Sequence, residues 1–160
     1  MRDQAIVYEP GEGKFFTARG SDMFFKAVAA TTHSTFSLME RTLPPGGRKP
    51  PAHVHAGCEE AYYVLDGSVE FSVGQQTYVG GPRSFVLVPR GVAHTFGNGG
   101  PALARLLVLH APPLDAYFEE LQALWSGERP PTRAQELQLM RRHGMEPATL
   151  PEKALTKNLS

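Results

Sequence analysis

The chain of 160 residues carries 16 Lys plus Arg and 16 Asp plus Glu, so its formal charge is balanced. This balance gives no electrostatic reason to expect a nucleic acid or an anionic membrane as partner, and no apolar run approaches the ~20 residues that span a bilayer. With one cysteine, Cys58, and no apolar leader segment visible at the N-terminus, we expect a soluble, cytoplasmic, one-domain protein without an internal disulfide.

Residues 6–110 consist of short segments rich in Val, Phe, Tyr, Thr and Leu, separated by turns that Gly and Pro mark. Segments of this composition are typical of β-strands. The predicted strands are 23–30, 34–43, 60–67, 68–73, 76–81, 84–89 and 103–110. Because the strands are many and short, and no helix long enough for a parallel crossover lies between them, residues 1–111 are predicted to form an all-β sandwich or barrel.

A change of composition after Pro112 and Pro113 marks residues 112–160 as a helical extension. The first predicted helix ends at Gly127 and carries one apolar stripe. The stripe consists of Leu114, Phe118, Leu121 and Trp125. We expect this stripe to pack on the β domain or on a partner subunit.

A second helix is predicted to begin at Thr132, which forms a capping-box pattern with Gln135. We expect this helix to turn Leu137 and Met140 inward and to end at Gly144. The last residues, 150–160, are predicted to form a loose tail.

One group of side chains has the composition of a metal site. His53 and His55 are two residues apart, so on a strand both imidazoles point to the same face. Glu60 begins the next predicted strand, and His94 follows a turn further along the chain. Three imidazoles and one carboxylate suit a divalent ion such as Fe, Mn, Ni, Cu or Zn.

The two segments that carry these residues resemble the paired motifs of the cupin superfamily. The first motif, Gly-x5-His-x-His-x4-Glu-x6-Gly, is matched by Gly47, His53, His55, Glu60 and Gly67. The second ends in Pro-x-Gly-x2-His-x3-Asn, matched by Pro89, Gly91, His94 and Asn98. Arg83 stands where the second motif would begin with glycine. The resemblance implies a cupin-type double-stranded β-helix, or jelly-roll barrel, with one metal ion per chain and two short C-terminal helices.

Among cupins, the pattern "HVH…EEAYYVLDG…VPRGVAHTF" most resembles bacterial quercetinase-like (quercetin 2,3-dioxygenase-like) proteins. That resemblance implies a metal-dependent dioxygenase that binds an enol oxygen of a flavonol-like, aromatic or enolisable substrate and organises attack by O2. Glu60 is then the expected proton acceptor, and Tyr62, Val64 and Phe96, which share strand parity with the ligands, are the expected apolar wall. The alternatives are a cupin isomerase or epimerase and a non-catalytic protein that binds a small molecule.

The remaining candidates receive structural or solvent-facing roles: His33, Cys58, Glu59, Arg83, Arg90, His110 and His143. A DNA-binding sensor is disfavoured because the two tail helices carry too few basic residues. Since an open sandwich leaves strand edges that pairing would cover, we expect a homodimer.

Overall fold

The computed structural model describes residues 4–152 and 155–159 and places their strands in two sheets of six. The first sheet has the order β1 (Lys14–Ala18), β2 (Ser21–Ala27), β3 (Ser37–Leu43), β10 (Ala104–Ala111), β5 (Glu59–Asp66) and β8 (Phe85–Val88). The second has the order β11 (Met145–Pro147), β4 (His53–His55), β9 (His94–Asn98), β6 (Val69–Val73), β7 (Gln76–Gly80) and β12 (Leu155–Leu159). All seven predicted strands are present, although β2 ends at Ala27, before a 3-10 turn at Ala29–Thr31. The strands that were not among those seven are β1, β4, β9, β11 and β12.

Strict alternation of buried and exposed side chains shows how the two sheets pack. Every second residue of β3 and of β10 is buried, which is the pattern of strands with one face on a core. Side chains from both sheets, such as Met39 and Val108 from the first and Phe71 from the second, form one hydrophobic core. The fold is therefore the predicted all-β sandwich of the jelly-roll type.

Two helices follow the β domain, as predicted. α1 (Asp115–Trp125) contacts β1, and α2 (Arg133–Arg142) contacts α1 and β11. The capping box of α2 is confirmed, because the side-chain oxygen of Thr132 accepts a hydrogen bond from the backbone N–H of Gln135. Leu137 of α2, which was expected to point inward, is only half-buried. Leu139 lies in the core with Met140 instead.

The predicted loose tail is wrong for residues 155–159. These residues form β12, which pairs in parallel with β7 from Leu155 opposite Gln76 to Leu159 opposite Gly80. Most side chains of β12 are exposed. The pairing therefore rests on backbone hydrogen bonds, which leave no hydrophobic pattern in the sequence. Among residues 4–152 and 155–159, no helix is long and apolar enough to cross a membrane.

Candidate metal centre

The four predicted ligands come from three strands, two paired in one sheet and one in the sheet opposite. His53 and His55 are the two inward residues of β4, with the half-buried Val54 between them. β9 pairs with β4 so that His94 lies directly opposite His53. Glu60 enters from β5, which belongs to the other sheet. The period-two alternation of strands thus turns all four side chains to one point.

At that point the ligand atoms of the four residues lie within 4.8 Å of one another. His53 Nε2 is 3.0 Å from His55 Nε2. Glu60 Oε2 is 3.0 Å from His55 Nε2 and 2.8 Å from His94 Nε2. All four residues are buried. The cluster has the composition and closeness of a centre for one metal ion.

The hydrogen bonds behind the rings show that this donor set fits a cation. His53 Nδ1 lies 2.8 Å from the carbonyl oxygen of Pro51, and His94 Nδ1 lies 2.9 Å from that of Val92. A carbonyl oxygen only accepts, so each Nδ1 carries the hydrogen and each neutral ring presents the lone pair of Nε2 to the centre. The lone pair of His94 Nε2 then faces Glu60 Oε2, and that of His53 Nε2 faces His55 Nε2. Acceptors this close need a cation among them.

The pKa values of the cluster agree with that arrangement. Burial, together with the neighbouring His94, lowers the pKa of His53 to about 3, so His53 is neutral and able to ligate. Burial opposes ionisation of Glu60, yet the interactions of its carboxylate with His110, His55 and His94 hold its pKa well below the usual range. Burial lowers the pKa of His94, but Glu60 outweighs it and raises the net value. Metal binding requires the neutral ring, so it displaces any proton from His94 Nε2.

His110 was expected to be structural and proves to contact the site. Its Nε2 lies 3.0 Å from Glu60 Oε1, the carboxylate oxygen that the other imidazoles leave free. The side chain is 2% exposed, and its Nδ1 has no hydrogen-bond partner among the described residues. The inward parity of β10 was visible in the sequence. The register that places His110 opposite Glu60 was not.

A narrow cavity of about 20 Å³, partly open to solvent, lies beside the cluster. Of the predicted apolar wall, Phe96 lines this cavity. Tyr62 and Val64 are not lining residues, because they lie deeper along β5 in the core, where the Tyr62 ring packs against Phe71 and Phe96. The alternation of the strand predicted correctly that Tyr62 and Val64 point inward, but it did not predict that they lie in the core rather than at the cavity. The segments after β10 supply the rest of the apolar wall through Leu114, Phe118, Met140 and Met145.

The other expected bystanders lie away from the centre. Glu59 points outward and bonds the guanidinium of Arg90 at 2.6 and 3.0 Å. Cys58 is buried, and burial together with the Glu60 charge raises the pKa of its thiol to about 12. His33 is exposed, and His143 lies at the end of α2 with its Nε2 3.0 Å from Glu120. Arg83 has a φ of 75°, the left-handed conformation that favours the glycine of the family motif.

Residues 39–110 match the family model described as "Cupin domain". The chain is similar to "Polyketide synthase CurC" of Streptomyces cyaneus, with 28% identity over 96 residues, 60% of this chain and 62% of that protein. It therefore spans less than two thirds of that relative's length. Solved structures with the same fold include the polyketide cyclase RemF from Streptomyces resistomycificus (24% identity, TM-score 0.59, 68% and 80% of the two chains). A predicted oxalate decarboxylase from Thermotoga maritima is another (20% identity, TM-score 0.59, 68% and 99%). The jelly roll is thus of the cupin type, and its His/Glu cluster could hold one metal ion.

Proposed function

We propose that this chain is a metal-dependent enzyme that acts on a small enolisable carbonyl compound by removing a proton next to the carbonyl group. The observation that carries the proposal is the position of a complete ligand set beside a small cavity that His110 also lines. The free cavity volume of about 20 Å³ is far below the ~300–1,000 Å³ typical of ligand pockets, so a substrate must be compact and must displace wall side chains to enter. A divalent ion held by His53, His55, Glu60 and His94 would polarise the carbonyl as a Lewis acid.

The hydrogen bonds of the site support His110 as the group that accepts the proton. Glu60 was the expected acceptor, but its pKa lies well below the usual range and both its oxygens face imidazoles. A carboxylate that accepts from His110 Nε2 leaves Nδ1 as the basic nitrogen of a neutral ring. The Cα–H bond then breaks, its proton moves to His110 Nδ1, and its electron pair forms the enolate. Glu60 orients the ring and stabilises the imidazolium that results.

An enolate has two fates, which define two candidate reactions. Attack by O2 gives the dioxygenase that the resemblance to quercetinase-like proteins implies. Attack on a second carbonyl of the same molecule, or return of the proton elsewhere, gives a cyclase or an isomerase that needs no oxygen. The similarity to CurC and to the cyclase RemF favours the second fate. Either fate begins with the same proton transfer.

The test measures proton transfer separately from oxygen use. Metal-loaded protein in D2O should exchange the hydrogens next to the ketone of methyl 4-oxopentanoate, followed by NMR, and a His110→Gln variant should lose the exchange while keeping its metal. Oxygen consumption with 2,4-pentanedione or a flavonol then assigns the dioxygenase, and its absence with continued exchange assigns the oxygen-independent reaction. Metal-loaded protein that binds the ketone without exchanging its hydrogens would refute the enzyme and leave a small-molecule-binding protein.

The free, buried Cys58 is suited to a reducing compartment, so we place this activity in the cytoplasm. Besides the metal ion, the initial proton transfer requires a compact carbonyl compound as its ligand.

A further inference from the structure

A guanidinium group lies inside the β domain, in the wall of the same cavity. Arg41 is on the inward face of β3, and its side chain is among the largest that are fully buried. Its Nε donates to the hydroxyl of Ser21 at 2.8 Å, and its Cζ lies 5.1 Å from the centre of the Phe96 ring. These contacts fix the guanidinium against one wall of the cavity.

The guanidinium of Arg41 is incompletely satisfied. Its Nη2 is buried and has no hydrogen-bond partner within the part of the chain that the structure describes. Burial, together with the nearby Arg19, lowers the pKa of Arg41 to about 10, which leaves the group charged at neutral pH. A buried cation with a free donor is costly unless an anion accepts from it.

The charged side chains near Arg41 already have other hydrogen-bond partners. Arg19, the second cavity arginine, bonds Glu136 at 2.8 Å and the hydroxyl of Tyr117 at 3.3 Å. Glu60 is taken by the histidine cluster. Arg41 therefore faces the cavity without a carboxylate of its own, and a divalent ion at the centre would make the cavity more positive still.

We propose that Arg41 binds a carboxylate group of the substrate, so that the enzyme acts on a small keto acid whose ketone, rather than its carboxylate, faces the histidine cluster. This inference rests on the proposed function and adds the substrate class to it. The cavity wall has three parts that match such a molecule. The guanidinium of Arg41 lies at one part, the metal ligands at another, and apolar side chains such as Phe96 and Phe118 at a third. A planar carboxylate is the anion that a guanidinium binds best through paired N–H groups.

The experiment compares an acid with its neutral ester. The probe is 4,6-dioxoheptanoate, a stable 1,3-diketone with a carboxylate two methylenes away, and the matched ligands are its methyl ester and the acid one methylene longer. Calorimetric titration into Zn²⁺-loaded protein should show one of the acids binding about ten- to a hundredfold more tightly than its ester, the usual contribution of a hydrogen bond to a charged group. In an Arg41→Met variant that preference should disappear while ester affinity and zinc content stay unchanged.

Met is a suitable replacement because an apolar side chain of similar length in place of a buried ion is often neutral for stability. Arg105→Met, which removes the same charge from the outer face of β10, should keep the full preference for the acid. Equal binding of acid and ester by the wild type, or a preference that survives Arg41→Met, would overturn the inference. Tighter binding of the phosphonate analogue than of the acid would overturn the choice of a carboxylate. If neither ester nor acid exchanges hydrogens but the acid preference holds, the proposed reaction fails and the anion site stands.

Discussion

The buried ion pair of Arg19 and Glu136 should be a principal source of stability for the C-terminal helices. Glu136 Oε1 lies 2.8 Å from Arg19 Nε, and it also accepts a hydrogen bond from the indole of Trp125 at 2.9 Å. The two charged side chains are 1% and 8% exposed. Glu136→Ala leaves a guanidinium and an indole N–H buried without this acceptor, and breaking such a pair costs about 3–5 kcal/mol of unfolding free energy.

The backbone of Arg19 adds to that expectation. Arg19 and Gly20 form the two-residue turn between β1 and β2, with φ values of 55° and 74°. The left-handed backbone conformation costs about 1–2 kcal/mol of folding free energy for a residue other than glycine. The ion pair therefore stabilises a turn that the arginine backbone disfavours.

Urea unfolding of the metal-free protein measures this loss of free energy. In thermal unfolding, the same loss should lower the melting temperature by about 6–20 °C, at 2–4 °C per kcal/mol. Glu136→Gln should lose less than Glu136→Ala, because its amide oxygen still accepts both hydrogen bonds. The matched control is Glu120→Ala on α1, whose 46%-exposed carboxylate bonds Arg142 and His143. An exposed pair of this kind contributes at most about 1 kcal/mol. Equal losses for Glu136→Ala and Glu120→Ala would refute the reasoning.

Three further predictions concern the centre, the thiol and the outer surface. Protein purified without added metal should contain about one first-row divalent ion per chain, and His94→Ala should lose it in elemental analysis; a wild type that takes up no added metal contradicts the centre. Because the pKa of Cys58 is raised to about 12, a thiol reagent at neutral pH should label it only on unfolding, and rapid labelling of native protein contradicts its burial. One outer sheet face carries three exposed apolar side chains, Tyr63, Phe85 and Leu87. We expect a homodimer through this face, so Phe85→Glu combined with Leu87→Glu should give a monomeric mass by light scattering. A monomeric wild type contradicts this prediction.

The ligand cluster could be predicted because its signals are local. Two histidines two residues apart on a strand share a face whatever the strand pairs with, and the spacing to Glu60 and His94 follows the family motifs. Most of the longer strands and both helices were also predictable, since composition and the Thr132 capping box lie within short windows.

What could not be predicted depends on pairing between distant strands. His110 contacts Glu60 because of the register in which β10 pairs with β5. An irregularity between Arg105 and Leu106 shifts this register, so the residues that lie opposite one another change there. No pattern within β10 shows this shift. In the sequence, Arg41 is one charged residue in an alternating strand, and nothing local predicts that it is buried. Its burial follows from the second sheet and the helices, which cover it.

The cavity walls explain why the family match predicts a metal centre without predicting a substrate. All four candidate metal ligands lie within residues 39–110, the matched segment. Much of the remaining wall lies outside it. Arg19 comes from the turn before the segment, and Leu114, Tyr117, Phe118, Met140 and Met145 come from the extension after it.

The extension holds these wall residues through contacts of its own, such as the bonds of Glu136 and Tyr117 to Arg19. Proteins that share the segment can therefore keep the ligand cluster while their flanking residues differ, and the compounds that fit beside the cluster differ with them. Substrate choice in this chain should accordingly respond to substitutions at Phe118 or Met140 while metal content stays constant. Loss of metal in those variants would show that the wall and the centre are not separable.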